Sequence, residues 1–252
     1  MKKLIYIVIA VVLFSCDSDK GLNCFQAAGD IIQQERIVPE FNRIVVFERT
    51  TLLVQQGDEY SVVVETGENL MNDVEVSVDN DQLIIRNTNG CNVVRDYGIT
   101  KVIVTAPNIT EIRSSTGQTV ESIGTLQFPS LTLLSEDTIE EDAFHIDGDF
   151  YLNLDVEDLN ITANGLSKFY LSGTANRAKF ELFSGDTRVD ASNLAVESMY
   201  LFHRSTNVMI VNPTRSIRGK IVSIGDVVVK TPRDSLEIVE VEELYRGRLI
   251  FE

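Results

Sequence analysis

The side chains best equipped for chemistry crowd into one stretch, SEDTIEEDAFHIDGD, which runs from Ser135 to Asp149. It carries seven carboxylates: Glu136, Asp137, the run Glu140-Glu141-Asp142, Asp147 and Asp149. His145 lies among them. A histidine beside carboxylates can form an acid–base pair or share a metal ion. Carboxylate oxygens are also the ligands calcium takes, but no glycine and no glutamate fall at the offsets an EF-hand loop requires. The simpler reading of 136–149 is a solvated acidic face. The second histidine, His203, precedes Arg204 in FHRST. Neighbouring segments carry other residue types at that place, which fits a corner or strand position. Glu136, Asp137, Asp147 and Arg204 could serve a polysaccharide lyase or hydrolase, which needs paired carboxylates or a base near calcium. Nothing in their spacing brings them together. No GxSxG, HExxH, P-loop or GxGxxG pattern occurs. No catalytic residue, metal ligand or cofactor is therefore assigned.

The chain has three cysteines, Cys16, Cys24 and Cys91. Cys16 ends the segment MKKLIYIVIAVVLFSC. Lys2 and Lys3 precede an apolar run from Leu4 to Phe14, too short to span a bilayer core, which takes about 20 helical residues. The run fits the hydrophobic region of a secretory signal. Leu13, a variable residue, the small Ser15 and then Cys16 follow the bacterial lipobox pattern, in which the peptidase cuts before the cysteine and its thiol carries diacylglycerol. Phe14 is bulkier than usual there. An ordinary signal with a chance cysteine is the alternative. We read 1–15 as a lipoprotein signal peptide, 16–36 as a tether and 37–252 as the folded domain. The expected location is the cell envelope, lipid-anchored at Cys16 to the outer membrane. Cys24 and Cys91 meet oxidising conditions after export, so a disulfide between them is one reading and two unpaired buried thiols the other. Without a CxxC pair, and with two histidines, they do not make a structural zinc site.

The charge balance narrows the partners. There are 38 acidic and 22 basic residues, and removing Lys2 and Lys3 with the signal leaves an excess of 18 negative charges. Such a surface repels nucleic acid and anionic membrane faces. A hydrophobic content of 44% is enough for a real core in a chain of this length.

The elements that must position these groups read as strands. RIVVFE (43–48), EYSVVVE (59–65), VEVSV (74–78), QLIIR (82–86) and KVIVTA (101–106) are short Val- and Ile-rich runs, most bounded by Gly, Asn, Asp or Pro. QQGDE (55–59) and VDNDQ (78–82) suit hairpin turns, and 65–75 suits an irregular turn or short helix. No stretch after the signal sustains a 3.6-residue apolar stripe.

After Pro107 a repeat emerges. ITANGLSKFYLSG from 161, ELFSGDTRVDAS from 181, LFHRSTNVMIVNP from 201 and IVSIGDVVVKTP from 221 place Gly165, Gly185, Ser205 and Gly225 twenty residues apart. Gly173, Ser192, Pro213 and Pro232 mark a second turn in each. Weaker copies begin at 111 and 131. A period near twenty with small-residue corners suggests a solenoid whose windings stack at about 4.8 Å. The competing architecture is an antiparallel sandwich or barrel, whose strands recur about every 8–12 residues.

The chain resembles the bacterial head GIN domain family, labelled putative auto-transporter adhesins, a domain of unknown function common in the Bacteroidetes lineage. The resemblance rests on EFNRIVVFERTTLLVQQGDEYSVVVETGENLMNDVEVSVDNDQLIIR, on KVIVTAPNITEIRSSTG and on the closing SIGDVVVKTP…YRGRLIFE. It covers about 37–252. SIGD, NGL and FSGD stand where that family more often has GSG triplets. The resemblance implies a right-handed single-stranded β-helix and an exported location, and it brings no catalytic residues. The function expected on these grounds is a non-enzymatic envelope lipoprotein, a β-helical scaffold or adhesin-like module binding a glycan or a protein. A carbohydrate-active enzyme on a β-helix is the alternative. Asn108-Ile-Thr110 and Asn160-Ile-Thr162 read as chance sequons in a bacterial lipoprotein.

Overall fold

Alternation of apolar and polar residues makes strands, because successive side chains point to opposite faces. The computed structural model describes residues 26–90, 98–138 and 143–252. The signal segment, Cys16, Cys24, Cys91 and Glu140-Glu141-Asp142 lie outside the described residues.

In chain order the strands are β1 (Ile31–Glu35), β2 (Arg43–Phe47), β3 (Thr51–Gln56), β4 (Ser61–Gly67), β5 (Val74–Asp79), β6 (Gln82–Asn87), β7 (Lys101–Ala106), β8 (Glu111–Ser115) and β9 (Val120–Leu126). They continue with β10 (Ser130–Ser135), β11 (Phe150–Ala163), β12 (Lys168–Leu182), β13 (Arg188–His203), β14 (Met209–Ile221), β15 (Val227–Val229), β16 (Ile238–Glu243) and β17 (Leu249–Phe251). Two short 3₁₀ turns, Glu68–Asp73 and Arg233–Ser235, interrupt them. All the strands belong to one curled sheet.

From β8 onward the pairing is parallel and each partner lies about one repeat further along the chain. Phe150 pairs with Phe169, Val189 with Met209 and Val227 with Leu249 along one wall. Along the other wall Ile161 pairs with Phe180, Phe180 with Leu201 and Gly219 with Val241. β11, β12 and β13 each run along both walls. In β11 the inward–outward alternation breaks at Glu157-Asp158, where two successive residues avoid the interior, and the strand bends there from one wall to the other.

The glycines that set the period fall on one corner. The Asp186 amide bonds the Gly165 carbonyl, the Thr206 amide bonds that of Gly185, and the Gly225 amide bonds that of Ser205. Gly165, Gly185, Ser205 and Gly225 therefore stack. At Gly185 the backbone has φ +80, and a Cβ would sit 2.3 Å from the Gly165 carbonyl oxygen. Side chains disfavour that backbone region by about 1–2 kcal/mol, and the contact falls on backbone that cannot swing away. Gly185→Ala is expected to lower unfolding free energy by about 2 kcal/mol, measured by urea denaturation.

The second turn is less regular than its spacing suggests. Gly173 pairs with Leu194, not Ser192, and Pro213 pairs with Val196. Bulges in β13 absorb extra residues, so the small residues of that turn do not share a rung. QQGDE is likewise not a hairpin turn. β3 and β4 do not pair with each other; they flank β7, β3 parallel and β4 antiparallel. VDNDQ is the hairpin it reads as: β5 and β6 pair antiparallel around Asn80 and Asp81, both at positive φ, the conformation two-residue hairpins prefer. In the stretch read as tether, Ile31–Glu35 forms β1, an exposed strand antiparallel to β4.

The core between the walls is continuous, from Phe41 and Ile44 through Phe150, Phe169 and Phe180 to Val227 and Val229. Phe150 and Phe169 stack with ring centroids 4.6 Å apart.

Candidate binding groove

The described residues of the acidic stretch, 136–138 and 143–149, lie between β10 and β11 on the corner column. The Ile146 carbonyl accepts the Leu166 amide, one winding on. The excursion folds back onto earlier windings. The Phe144 ring stacks on Phe47 at 5.9 Å, the Arg113 guanidinium lies over Phe144, and the His145 amide bonds the Ser115 hydroxyl. Arg113 forms an ion pair with Glu136 at 2.8 Å. Burial pushes the Glu136 carboxyl up, but hydrogen bonds from Thr138 and Arg113 outweigh it and hold it below the ordinary value. The Asp137 carboxylate accepts from the Asn164 amide, and Asp147 lies beside Gly117. Asp149 accepts the Lys168 backbone amide. The bonds from Arg113 to Glu136, from Asn164 to Asp137 and from Lys168 to Asp149 each tie one winding to another. Among the described residues no group of three or more His, Cys, Asp or Glu could hold a metal ion.

Arg204 is not part of this set. It occupies the corner after β13, three windings beyond Ile146, or about 14 Å at about 4.8 Å per winding. His203 is fully buried. It takes an inward position between Leu182 and Ile221, where no substrate can reach it. Among sequon residues, Asn160 lies mid-strand in β11 and Asn108 in the turn before β8.

Among the described residues a depression lies elsewhere, on the outer face of the first wall. It has a volume of about 430 Å³ and crosses β9, β11, β12 and β13. Its floor is set by irregularities in register. β9 and β11 slip between Tyr151 and Asn153, β12 and β13 between Tyr170 and Ser172, and β13 and β14 between Asp190 and Ala195. Bulges bend a strand and re-aim its side chains, and they concentrate beside functional sites. Here they fall on adjacent windings and dent the wall.

The dent is lined by Tyr151, Asn153, Tyr170, Ser172, Asp190 and Asn193, with Ser122 and Ser192 beside them. The two tyrosine rings stack 4.7 Å apart with planes 12° from parallel, and Tyr151 is 44% exposed. The polar groups form a lattice across the strands. The Asn153 backbone amide bonds the Ser122 hydroxyl, the Asn153 side chain donates to Thr125 Oγ1, and the Ser172 hydroxyl donates to Asn153 Oδ1. Asp190 Oδ1 accepts from the Ser192 hydroxyl at 2.7 Å and from its backbone amide. Burial raises the Tyr151 phenol above its ordinary pKa, with the Asp149, Tyr170 and Glu121 charges adding to it. Asp190 is the single carboxylate among the described residues lining the dent. Asp149 and Glu121 approach only its Tyr151 end, and Lys168 and Thr119 engage them.

The sequence reasoning above missed this site. FYL recurs at Phe150 and Phe169, nineteen residues apart, and that identity was the available signal. It puts one aromatic ladder inside and a second one outside.

A further depression of about 320 Å³ on the other wall carries Arg177, Lys179, Tyr200 and Arg218. Each of its cations is already paired, with Asp158, Glu181 and Glu240 respectively.

The chain is all-β, a curled sheet whose later strands pair in parallel about one repeat apart, with a polar and aromatic dent on its outer face. Residues 40–231 match the sequence model of the family described as putative auto-transporter adhesin, head GIN domain, and the chain belongs to that family. No curated protein matches it. Among solved structures it is similar to a putative adhesin from Bacteroides fragilis, with 20% identity, a TM-score of 0.76, and coverage of 88% of this chain and 97% of that one. A putative lipid binding protein from Parabacteroides distasonis has 15% identity and a TM-score of 0.61, over 88% and 97% of the two chains. A putative adhesin from Parabacteroides merdae has 15% identity and a TM-score of 0.59, over 89% and 97%. Likeness at such identities concerns the fold. Among the described residues no helix is long and apolar enough to cross a membrane, which says nothing of a β-barrel.

Proposed function

We propose that the chain is a non-enzymatic, lipid-anchored protein of the cell envelope whose windings form a right-handed single-stranded β-helix and whose outer wall binds an extended ligand. The observation that carries the reading is the composition of the dent. It offers tyrosines, amides and hydroxyls across four parallel strands, with Asp190 as its single lining carboxylate. Hydrolysis of a glycosidic bond uses two carboxylates about 5–9.5 Å apart, so this arrangement favours recognition over turnover. The acidic corner supports the same reading, because Glu136, Asp137 and Asp149 are engaged in bonds between windings.

Anchoring rests on the lipobox ending at Cys16. Two or three acyl chains hold a protein stably at a bilayer, and the outer membrane is the compartment proposed. A Cys24–Cys91 disulfide would join the leading segment to the folded body.

The test incubates the full chain with a panel of neutral and acidic polysaccharides and assays new reducing ends and unsaturated products. None is expected. Product formation abolished by a single carboxylate substitution would establish the enzyme instead. In the same preparations, Cys16→Ser is expected to move the protein from the membrane fraction to the soluble one.

A further inference from the structure

We infer that the dent on the outer wall is a subsite for a neutral, hydroxyl-rich sugar ring of a glycan, stacked on the free face of Tyr170 and held by Asp190 and Asn193. The inference rests on the binding reading above and gives it a ligand class.

The tyrosine pair sets the geometry of the dent. Parallel rings 4.7 Å apart at equivalent positions of successive windings form a two-rung ladder along the stacking axis. The register extends it in both directions: Glu121 is the rung before Tyr151 and Asp190 the rung after Tyr170. Neither is aromatic. Tyr170 therefore turns one face to Tyr151 and the other toward the Asp190 rung, where a short side chain stands in place of a ring. The step between windings is about 4.8 Å, close to the spacing at which flat groups stack. The missing third rung is thus a slot for one ring.

The chemistry of the slot selects what fills it. The face of an aromatic ring carries negative quadrupole charge, and the C–H-bearing face of a pyranose presents the complementary positive hydrogens. Beyond the ring edge a sugar needs acceptors and donors for its hydroxyls. Asp190 Oδ1 is occupied by Ser192, but Oδ2 has only a loose 3.6 Å contact with Arg188. The Asn193 side chain is exposed and makes no hydrogen bond to any described residue. The bulge after Tyr170 places two residues of β13, Ala191 and Ser192, opposite Leu171 alone, and Asn193 follows them at the rim. A carboxylate and a free amide at the edge of an aromatic platform match paired hydroxyls.

Charge sets the sugar class. With Asp190 in the slot and a chain net charge of -16, a uronic acid or sulfated sugar would meet like charge. A purely apolar ligand would leave Asp190 Oδ2 and the Asn193 amide facing it without a hydrogen bond, at a desolvation cost.

The experiment immobilises the full chain and measures binding of cellohexaose, chitohexaose, maltohexaose, mannohexaose and hexagalacturonate to the wild type and to Tyr170→Ala, Tyr170→Phe, Asp190→Asn and Asn193→Ala. Thermal melting of each variant is recorded alongside. At least one neutral hexasaccharide is expected to bind. Tyr170→Ala should weaken it by about tenfold, whereas Tyr170→Phe should stay within about threefold, since the platform survives. Asn193→Ala, at an exposed position, should weaken binding without moving the melt. Hexagalacturonate should bind at least about tenfold more weakly than the best neutral sugar. Binding of hexagalacturonate alone, or neutral-sugar binding insensitive to both Tyr170→Ala and Asn193→Ala, overturns the inference. So does absence of binding to every probe, and with no products formed that result leaves the non-enzymatic reading standing. Products released from any probe would instead remove the non-enzymatic reading, while the Tyr170 series still decides whether this dent holds the sugar.

Discussion

Replacing His203 with leucine is expected to remove about 3 kcal/mol of acid-dependent destabilisation between pH 6.5 and pH 4. His203 is fully buried, and desolvation depresses its pKa from 6.5 to about 4, with the backbone at Asn207 and Gly225 and the nearby Asp226 offsetting part of that fall. Neither ring nitrogen completes a hydrogen bond, although the backbone at Asn207 and Gly225 lies close. The folded protein therefore keeps the imidazole neutral down to about pH 4, while the unfolded chain takes up its proton near pH 6.5. Between those values the unfolded state holds more protons, so stability rises with pH and falls on acidification. The contribution is intact above pH 6.5 and its loss is complete near pH 4, and a shift of this size corresponds to about 3 kcal/mol.

Leucine suits the position, because the rungs on either side are Leu182 and Ile221. At pH 7 the variant should match or exceed the wild type, since an unpaired buried polar group is costly. Urea midpoints for both proteins at intervals from pH 4 to pH 7.5 provide the check. The stability difference in favour of the variant should widen steadily as pH drops. A difference that stays constant across the range would show that His203 does not titrate across folding. The wild-type curve alone is not diagnostic, because Glu136 and Glu65 are held below their ordinary values and also lose stabilisation in acid.

The second large effect is at Phe169. Phe169→Ala is expected to cost about 3–5 kcal/mol, the range for deleting a buried phenylalanine. The ring is fully buried, stacks on Phe150 and is followed on the next winding by Val189. Neighbouring windings cannot close the gap, because their spacing is fixed by backbone hydrogen bonds. The adjacent Tyr170→Ala provides the internal control. It removes a ring of nearly equal size from the opposite face of the same strand and should cost far less. Denaturant midpoints with unchanged m-values would test the contrast. Equal costs would mean that the two faces of β12 are not inside and outside.

These residues show how much the sequence carries. The corner column was readable because a Cβ at Gly165, Gly185 or Gly225 would meet a backbone carbonyl oxygen at 2.1–2.3 Å, so close backbone approach restricts the residue at three of its four positions, and Ser205 is the fourth. The β5–β6 hairpin was readable for a local reason, the positive φ at Asn80 and Asp81. The second turn misled, because bulges in β13 let Gly173 face Leu194 and slid Ser192 off the rung. A bulge is decided by how two strands accommodate each other, and either strand alone looks regular. QQGDE failed similarly: the turn exists, but β7 comes between the strands it joins.

The acidic stretch drew attention for its composition, and the fold uses several of its carboxylates to lash windings together. The dent passed unnoticed because Ser, Asn and Asp on a solenoid read as corner or surface residues. By itself the sequence determined the β content, the period and the inward column, since each follows from local backbone preference and the alternation of apolar side chains. Only the tertiary structure decided which outward residues meet. Tyr151, Tyr170 and Asp190 become neighbours through the stacking of windings, and the register slips that dent the wall around them arise from pairing between strands about twenty residues apart.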